Sequence, residues 1–443
     1  MNQSKLLLWS ITVALAGFLF GFDTVVISGA DQSLQQLWHS SSLFHGVVVM
    51  SSALWGTVLG ALFGSIPTDA IGRKKTLIVI GVLYVIGALG SALVSDPWLF
   101  AIFRFVGGLG VGASTIAAPA YVSEIAPPEK RGRLVAMYQF NIVFGILMAY
   151  LSNFLFSNLD LGENTWRWML GIQVVPAAIY TLMVFTIPMS PRWLMMKGRY
   201  EEARAVLQQV NPEADLTELT AAAQADNQHK KESLWLKKYR LPVLLAFLIA
   251  FFNQVSGINA FLYYAPRIFA IAGLEQNAAM LSSVGIGVVN LIFTFVGLSL
   301  IDKFGRRQLM YIGSFGYIVS LGLVSLAFFL EWKGMAVPLF FFLFIAAHAI
   351  GQGTVIWVFI SEIFPSHLRA QGQSLGSSTH WVLAAAIPAA IPFLFDSIGA
   401  SWVFVCFTFM MVLQLLFVMF MMPETKGVPL EELSQSLIKE DAS

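Results

Sequence analysis

The chain has 443 residues, of which 57% are hydrophobic and 12% are charged, and its formal net charge is +1. Soluble domains carry about 25% charged residues, so this composition predicts an integral membrane protein. The single cysteine, Cys406, excludes an internal disulfide, and no basic cluster with interleaved aromatic residues indicates a nucleic-acid partner.

Twelve segments along the chain are long and apolar enough to cross a membrane as helices, which takes about 20 residues each. The first is too long for a signal peptide and lacks a cleavage site, and the alternation typical of membrane barrels is absent. The segments begin near Leu8, Gly46, Leu77, Pro97, Leu134, Met169, Leu241, Ala278, Leu309, Val337, Gln371 and Ser401. We therefore predict an all-α membrane protein with twelve transmembrane helices.

The distribution of lysine and arginine predicts the orientation. All but four of the 26 lie in the even-numbered connections or the two tails; the exceptions are Arg104, Arg167, Arg267 and Lys333. Basic residues accumulate on the cytoplasmic side of membrane proteins. Both termini of this multi-pass protein are therefore expected in the cytoplasm, and the protein in the cell membrane.

One long polar connection, residues 196–240, divides the spans six and six, and motifs recur in the two halves. "DAIGRKK" begins at Asp69 and "DKFGRRQ" at Asp302, while "SEIAPPEKR" begins at Ser123 and "SEIFPSHLR" at Ser361. Parallel six-span repeats are the layout of major facilitator transporters, whose substrate site lies near the midplane. We predict two pseudo-symmetric six-helix bundles (1–189 and 241–422), a cytoplasmic linker (190–240) and a cytoplasmic tail (423–443). Short surface helices or a flexible tether would both suit the linker.

The repeated motifs place acidic and basic residues together at the inner ends of the spans. Pairs across helices there would close the inner side and would have to break for it to open. Simple membrane anchoring explains the basic residues but not the acidic ones. The predicted inner network consists of Asp69, Arg73, Glu124, Arg131, Asp302, Arg306, Glu362 and Arg369.

Only two clear charges lie inside the predicted spans. Asp23 lies in "GFLFGFDTVVISG" and Arg104 in "FAIFRFVGGLGVG", each about seven residues from the outer end of its span if the first span ends near Ala30. At about 1.5 Å per residue both lie at a similar depth. Because an unpaired charge in a membrane costs several kcal/mol, we predict that they pair.

The predicted pair has two interpretations. It could be a static structural contact. Alternatively, Asp23 is ionised beside Arg104 in one state and takes up a proton when the contact loosens, because burial without a partner favours the neutral carboxyl group. The second interpretation predicts a proton-coupled transporter.

Polar residues at similar depth predict a cavity for an uncharged, hydroxyl-rich solute. Amides donate and accept hydrogen bonds, and tryptophan faces suit the C–H surface of a sugar ring. The alternative is that these amides hold helices together, and His380 could instead satisfy a neighbouring helix or confer pH dependence. The candidate substrate-binding residues are Gln139, Asn253, Gln254, Asn259, Asn290, Trp357, His380 and Trp381.

The sequence contains no metal-ligand cluster, nucleophile triad or phosphate-binding loop. We therefore expect no metal, no cofactor and no enzyme activity. The expected partners are a monosaccharide, a proton and the lipid bilayer, and we expect a monomer.

Several stretches resemble the sugar porter family of the major facilitator superfamily, and the resemblance covers essentially the whole chain. It rests on "VGGLGVG" followed by Tyr121, "PMSPRWL", "NQVSGINAFLYYAP", "DKFGRR" and the terminal "PETKG". The chain looks like the bacterial sugar–proton symporters of the xylose–proton type. Facilitative glucose transporters, which it also resembles, usually carry Asn where this chain has Asp23.

The resemblance implies roles for individual residues. It implies proton coupling by Asp23 and Arg104, and gating by Phe22, Tyr263 and Tyr264. It implies sugar contacts at Gln139, Gln254, Asn259, Asn290, Trp357 and Trp381. Five positions depart from the family pattern: Ala70, Met189, Asn253, Ala349 and His380.

The function expected is proton-coupled symport of a neutral hexose or pentose by alternating access. A sugar uniporter with a structural Asp23–Arg104 pair is the alternative. A non-transporting sugar sensor is disfavoured, because such receptors usually carry a long cytoplasmic tail and only a short segment follows Gly427.

Overall fold

The computed structural model describes residues 3–159, 161–210, 232–365, 367–429, 433 and 436–438, without the side chains of 3, 128, 129, 131–133, 135 and 210. Twelve helical segments in this part of the chain are long and apolar enough to cross a membrane. The prediction of twelve spans is confirmed. Their bounds are Ser4–Leu37, Ser42–Phe63, Arg73–Leu93, Pro97–Ile125, Ala136–Ser157, Gly162–Thr186, Lys237–Ile271, Gln276–Phe304, Arg306–Phe329, Ala336–Glu362, Arg369–Ile398 and Ala400–Phe420, and we number them 1 to 12.

The individual helices subdivide some of these spans. Up to residue 210 they are α1 (Gln3–Leu37), α2 (Ser42–Phe44), a π-helical turn (His45–Met50), α3 (Ser52–Phe63), α4 (Ser65–Ala70), α5 (Arg73–Leu93), α6 (Pro97–Ile125), α7 (Pro128–Ser157), a 3₁₀ turn (Gly162–Asn164), α8 (Thr165–Gly171), α9 (Val174–Thr186), α10 (Pro191–Met196) and α11 (Tyr200–Val210). The short helices α10 and α11 lie in the stretch predicted as a linker.

The later helices follow the same pattern. They are a 3₁₀ turn (Lys237–Tyr239), α12 (Arg240–Val255), α13 (Ile258–Ile271), α14 (Gln276–Phe304), α15 (Arg306–Phe329), α16 (Ala336–Ile350), α17 (Gln352–Glu362), α18 (Arg369–Ile398) and α19 (Ala400–Phe420). Span 7 is broken at Gly257, which has a positive φ of 85°. Only glycine adopts this conformation without strain, so the break in span 7 has a local cause.

Spans 2 and 4 pack closely because glycines line their contact. A Cβ atom at Gly108 would lie 1.9 Å from the carbonyl oxygen of Ala53, and one at Gly112 would lie 2.2 Å from that of Thr57. Small residues let helix backbones approach each other in a membrane. This packing fixes α6, the helix that carries Arg104.

The contacts divide the chain into two compact units. The first comprises Met1–Ile27, Ser52–Ser152 and Leu161–Lys231, and the second comprises Ser28–Ser51, Asn153–Asp160 and Glu232–Ser443. The second unit thus contains the end of span 1, the start of span 2 and the end of span 5 as well as spans 7 to 12. The assignment of 1–189 and 241–422 as bundles stays a prediction.

Span 1 is longer than expected. Its helix continues to Leu37 rather than ending near Ala30, and it buries a second carboxylate, Asp31. Arg267, expected in a connection, lies within α13 and pairs with Asp31. The expectation that Asp23 and Arg104 are the only clear charges inside the spans was therefore wrong, because Asp31 and Arg267 form a second buried ion pair there.

Candidate functional site

The first unit brings Asp23 and Arg104 together. Nη1 of Arg104 donates to Oδ1 of Asp23 at 2.7 Å, and Nη2 donates to the Asp23 carbonyl oxygen at 3.1 Å. Asp23 is 4% exposed and Arg104 is 2% exposed, so both charges are removed from water. A buried ion pair holds only while both partners stay in place, because loss of either leaves an uncompensated charge.

The surroundings of this pair are only partly polar. Nε of Arg104 has no hydrogen-bond partner among the described residues. Gly107, one turn along α6, lies beside Asp23, since a Cβ there would be in van der Waals contact with Oδ1 at 4.0 Å. Phe22 is buried next to the carboxylate and its ring lies 5.8 Å from that of Phe18. The guanidinium is thus not fully satisfied, as expected of a group that can change partners.

Span 7 and span 11 place four of the candidate sugar-binding residues in one hydrogen-bonded cluster. Gln254 Nε2 donates to Asn253 Oδ1 at 2.7 Å and to His380 Nδ1 at 3.1 Å, and Gln254 Oε1 accepts from Asn259 Nδ2 at 2.7 Å. The same Gln254 Nε2 also lies 3.4 Å from His380 Nε2, so the amide group faces both ring nitrogens. Gln254 therefore organises the cluster.

Two tryptophans flank the same histidine. The ring centroids of Trp357 and Trp381 lie 5.2 Å and 4.9 Å from that of His380. Asn290 is 7% exposed and accepts a long hydrogen bond from Thr294 at 3.5 Å. Gln139, by contrast, lies half-buried on α7 in the first unit. The cluster in the second unit combines amides with aromatic faces, the chemistry expected for a sugar ring.

A second polar chain was not predicted from the sequence. Gln352 Nε2 donates to Gln414 Oε1 at 2.9 Å, and Gln414 Nε2 donates to Ser314 Oγ at 2.7 Å. Asn253 joins this chain through a 3.5 Å contact with Gln352 Oε1. The only sequence signal for this chain is an isolated glutamine in each of two apolar spans, Gln352 in span 10 and Gln414 in span 12. Asn253 is therefore shared between the candidate site and a buried structural network.

The two candidate gating tyrosines are fully buried in α13. Tyr264 has non-helical angles (φ −119°, ψ 15°) just before Pro266, which cannot donate a backbone hydrogen bond. Its hydroxyl donates to the carbonyl oxygen of Pro388 on span 11 at 2.9 Å. Tyr263 is 1% exposed. The kink and the contact with span 11 together make this a place where span 7 could bend.

At the span ends that the sequence predicts to face the cytoplasm, each unit contains an ion-pair network of the same design. In the first unit Arg73 contacts Asp69 Oδ1 at 3.0 Å and Glu124 Oε1 at 2.9 Å, and Ser190 Oγ donates to Glu124. In the second unit, Arg306 contacts Asp302 at 3.4 Å and Glu362 at 2.7 Å, and Thr425 Oγ1 donates to Glu362 at 2.6 Å. These described pairs connect helices within a unit.

The remaining two members of the predicted network have no described ion pair with these acids. The side chain of Arg131 lies outside the described residues. Arg369 begins α18, and its Nε is buried without a hydrogen-bond partner among the described residues. The role of all eight residues in closing the inner side stays a prediction.

One difference between the repeated networks gives a prediction about stability. Glu424 accepts hydrogen bonds from the backbone N–H groups of Arg306 and Arg307 at 2.9 and 3.0 Å, capping α15. The corresponding helix α5 follows Gly72, which supplies no side-chain cap. Met189, in the position matching Glu424, packs beside Gly72. We expect Met189→Glu to stabilise the protein by about 0.5–2 kcal/mol, since a carboxylate favours a helix N-terminus.

Thermal unfolding of the detergent-purified protein would measure this effect. Met189→Gln is the matched control and should stabilise less, because it lacks the charge. A melting temperature of Met189→Glu at or below that of the unchanged protein would contradict the explanation.

Within the described part of the chain, no three His, Cys, Asp or Glu side chains come together as metal ligands.

Comparison with known proteins identifies the family of this chain. A family profile described as "Sugar (and other) transporter" matches residues 9–437. The chain is 36% identical to the arabinose-proton symporter of Bacillus subtilis, over 99% of this chain and 96% of the relative. It is 31% identical to the D-xylose-proton symporter of Escherichia coli K12, over 98% and 96%.

Solved transporter structures have a similar fold. An inward-open structure of the xylose transporter XylE from E. coli is similar with a TM-score of 0.87 at 30% identity, covering 97% of this chain and 99% of that one. A partially occluded inward-open structure of the same transporter gives a TM-score of 0.85, covering 96% and 100%. The family match and the relatives span almost the entire sequence, so this chain belongs to the sugar transporter family and has the major facilitator fold.

Proposed function

We propose that this protein takes up a neutral monosaccharide together with a proton by alternating access. The observation that carries the proposal is the buried contact between Asp23 and Arg104, 2.7 Å long and inside the span region. A carboxylate there can exchange its guanidinium partner for a proton and so avoid being left as a buried, unpaired negative charge. The relatives named as arabinose-proton and D-xylose-proton symporters support the same assignment.

The amide and tryptophan cluster is the proposed sugar site. Gln254, Asn259 and His380 offer donors and acceptors to hydroxyl groups, and Trp357 and Trp381 offer apolar faces to the ring. Gln139 and Asn290 complete the proposed set of sugar contacts. Phe22, Tyr263 and Tyr264 are the proposed gating residues.

We further propose that the protein works as a monomer in the lipid bilayer of the cell membrane, with both termini in the cytoplasm. The distribution of lysine and arginine supports this orientation. A transport role without enzyme chemistry is consistent with the transporters named among its relatives.

Uptake of labelled sugars into proteoliposomes tests the proposal. Arabinose, xylose and glucose are offered separately under an inwardly directed proton gradient, with empty liposomes as the control. We expect at least one sugar to accumulate above its external concentration, and a protonophore should abolish this excess. Sugar that only equilibrates would identify a uniporter, and failure to transport any sugar would contradict the proposal.

A further inference from the structure

A second buried ionic cluster lies in the second unit, away from the Asp23–Arg104 pair. Arg267 Nε and Nη2 donate to the two carboxylate oxygens of Asp31 at 2.6 and 2.9 Å, and Arg267 Nη2 also donates to Gln35 Oε1 at 2.5 Å. His45 Nε2 lies 2.7 Å from Asp31 Oδ1. The side chains of Asp31 and His45 are 1% and 0% exposed. We call Asp31, His45 and Arg267 the outer triad.

The triad joins three elements at one end of the spans. Asp31 belongs to the last turns of α1, His45 opens the π-helical turn of span 2, and Arg267 follows the kink of span 7. A π-helical turn is rare and often marks a functional position. The charge distribution assigns this end of the spans to the outside.

Span 11 is packed against the same elements. A Cβ atom at Gly46 would lie 2.1 Å from the carbonyl oxygen of Ala389, so the π-helical turn touches the backbone of this span. Ser42 Oγ donates to Asp396, and Tyr264 donates to Pro388. The His45 ring itself contacts Asp31 through Nε2 and Ser40 through Nδ1. Arg267, which shares Asp31 with His45, also contacts Gln35 and Tyr264. From span 11, the charged group at this end is Asp396, which accepts from Ser42.

The net charge left on the buried residues of the triad changes when α13 separates from α1 and span 2. With a neutral imidazole, the positive charge of Arg267 balances the negative charge of Asp31. If α13 moves away, Asp31 and His45 remain buried with a net charge of −1. Burying an uncompensated charge is costly. One proton on the imidazole, which already points Nε2 at Asp31, restores neutrality.

We propose that Asp31 and His45 form a second proton-binding site, which takes up a proton from the outside when Arg267 withdraws and the outer side opens. The proton returns to the outside when Arg267 pairs with Asp31 again. The triad therefore controls the equilibrium between the closed and the open outer side. It does not add to the number of protons carried with each sugar. This inference rests on the proposed transport cycle.

Linkage gives the direction of the pH effect. Since the open outer side binds one more proton than the closed one, a lower external pH favours opening, by up to about tenfold per pH unit.

Sugar exchange across proteoliposomes at varied external pH tests the proposal. It is measured with and without Asp23→Asn, so that titration of Asp23 is removed in one background. In that background we expect exchange to rise several-fold as the external pH falls from 8 to 6. Adding His45→Gln, which keeps a donor but does not titrate, should flatten the profile. His39→Asn, at an exposed histidine with positive φ, is the matched control and should leave the slope unchanged.

A second variant protects the test against misfolding of His45→Gln. Asp31→Asn combined with Arg267→Gln removes both charges and should also flatten the profile. A slope that survives in either variant, or is already absent from Asp23→Asn alone, overturns the second proton site. Loss of sugar exchange in the unmodified protein would instead refute the proposed function, so the two failures are distinguishable.

Discussion

Asp23→Asn is expected to abolish uphill sugar accumulation and to leave exchange of sugar across the membrane largely intact. A proton moving down 100 mV supplies about 2.3 kcal/mol, which corresponds to an accumulation of several tens-fold. Asparagine retains the size of the side chain and can still accept the hydrogen bond that Arg104 Nη1 gives to Asp23 Oδ1. It cannot release or take up a proton, so the accumulation ratio should fall to about one.

Labelled sugar uptake and counterflow in the same proteoliposome preparation measure both quantities. Asp96→Asn is the matched control. Asp96 caps α6 by accepting from the backbone N–H groups of Trp98 and Leu99, and asparagine caps helices about as well as aspartate. This control should therefore accumulate sugar normally. If Asp23→Asn also accumulates sugar normally, the pair with Arg104 is structural.

Gln254→Ala is expected to weaken sugar binding by about 100-fold. The substitution removes a candidate sugar contact and leaves Asn259 and His380 without the partner that positions them. Each buried group left without a hydrogen bond costs about 1–3 kcal/mol. The loss should appear as a higher apparent KM in counterflow, and as weaker quenching of tryptophan fluorescence by sugar.

The control distinguishes sugar binding from helix packing. Gln414 is also a fully buried glutamine, but its partners are Gln352 and Ser314. Gln414→Ala should lower the melting temperature and change sugar affinity little. If Gln254→Ala lowers the melting temperature with unchanged affinity, the amides of span 7 act only as contacts between helices.

The features predicted from sequence are those with a strong local signal. Apolar length identified the twelve spans, and opposite charges at similar depth identified the pair of Asp23 with Arg104, now observed at 2.7 Å. The repeated motifs located Arg73 and Arg306, each beside an aspartate and a glutamate.

The features that were missed depend on partners distant in the sequence. Asp31 and Arg267 are 236 positions apart, and each alone is typical of a helix end in water. Their pairing lies in the part of α1 that continues beyond the expected end near Ala30. Gln352 and Gln414 were missed for the same reason, since a single glutamine in an apolar span does not reveal which helix it faces. Residues 211–231, in the predicted linker, lie outside the part that the structure describes.

Sugar-dependent proton movement tests the account most directly. Proteoliposomes containing a pH-sensitive dye and no imposed gradient receive the transported sugar outside. The account predicts that the lumen acidifies as sugar enters, and that Asp23→Asn transports sugar by exchange without this acidification. Sugar entry at the same rate with no change in luminal pH would contradict proton coupling through Asp23 and Arg104.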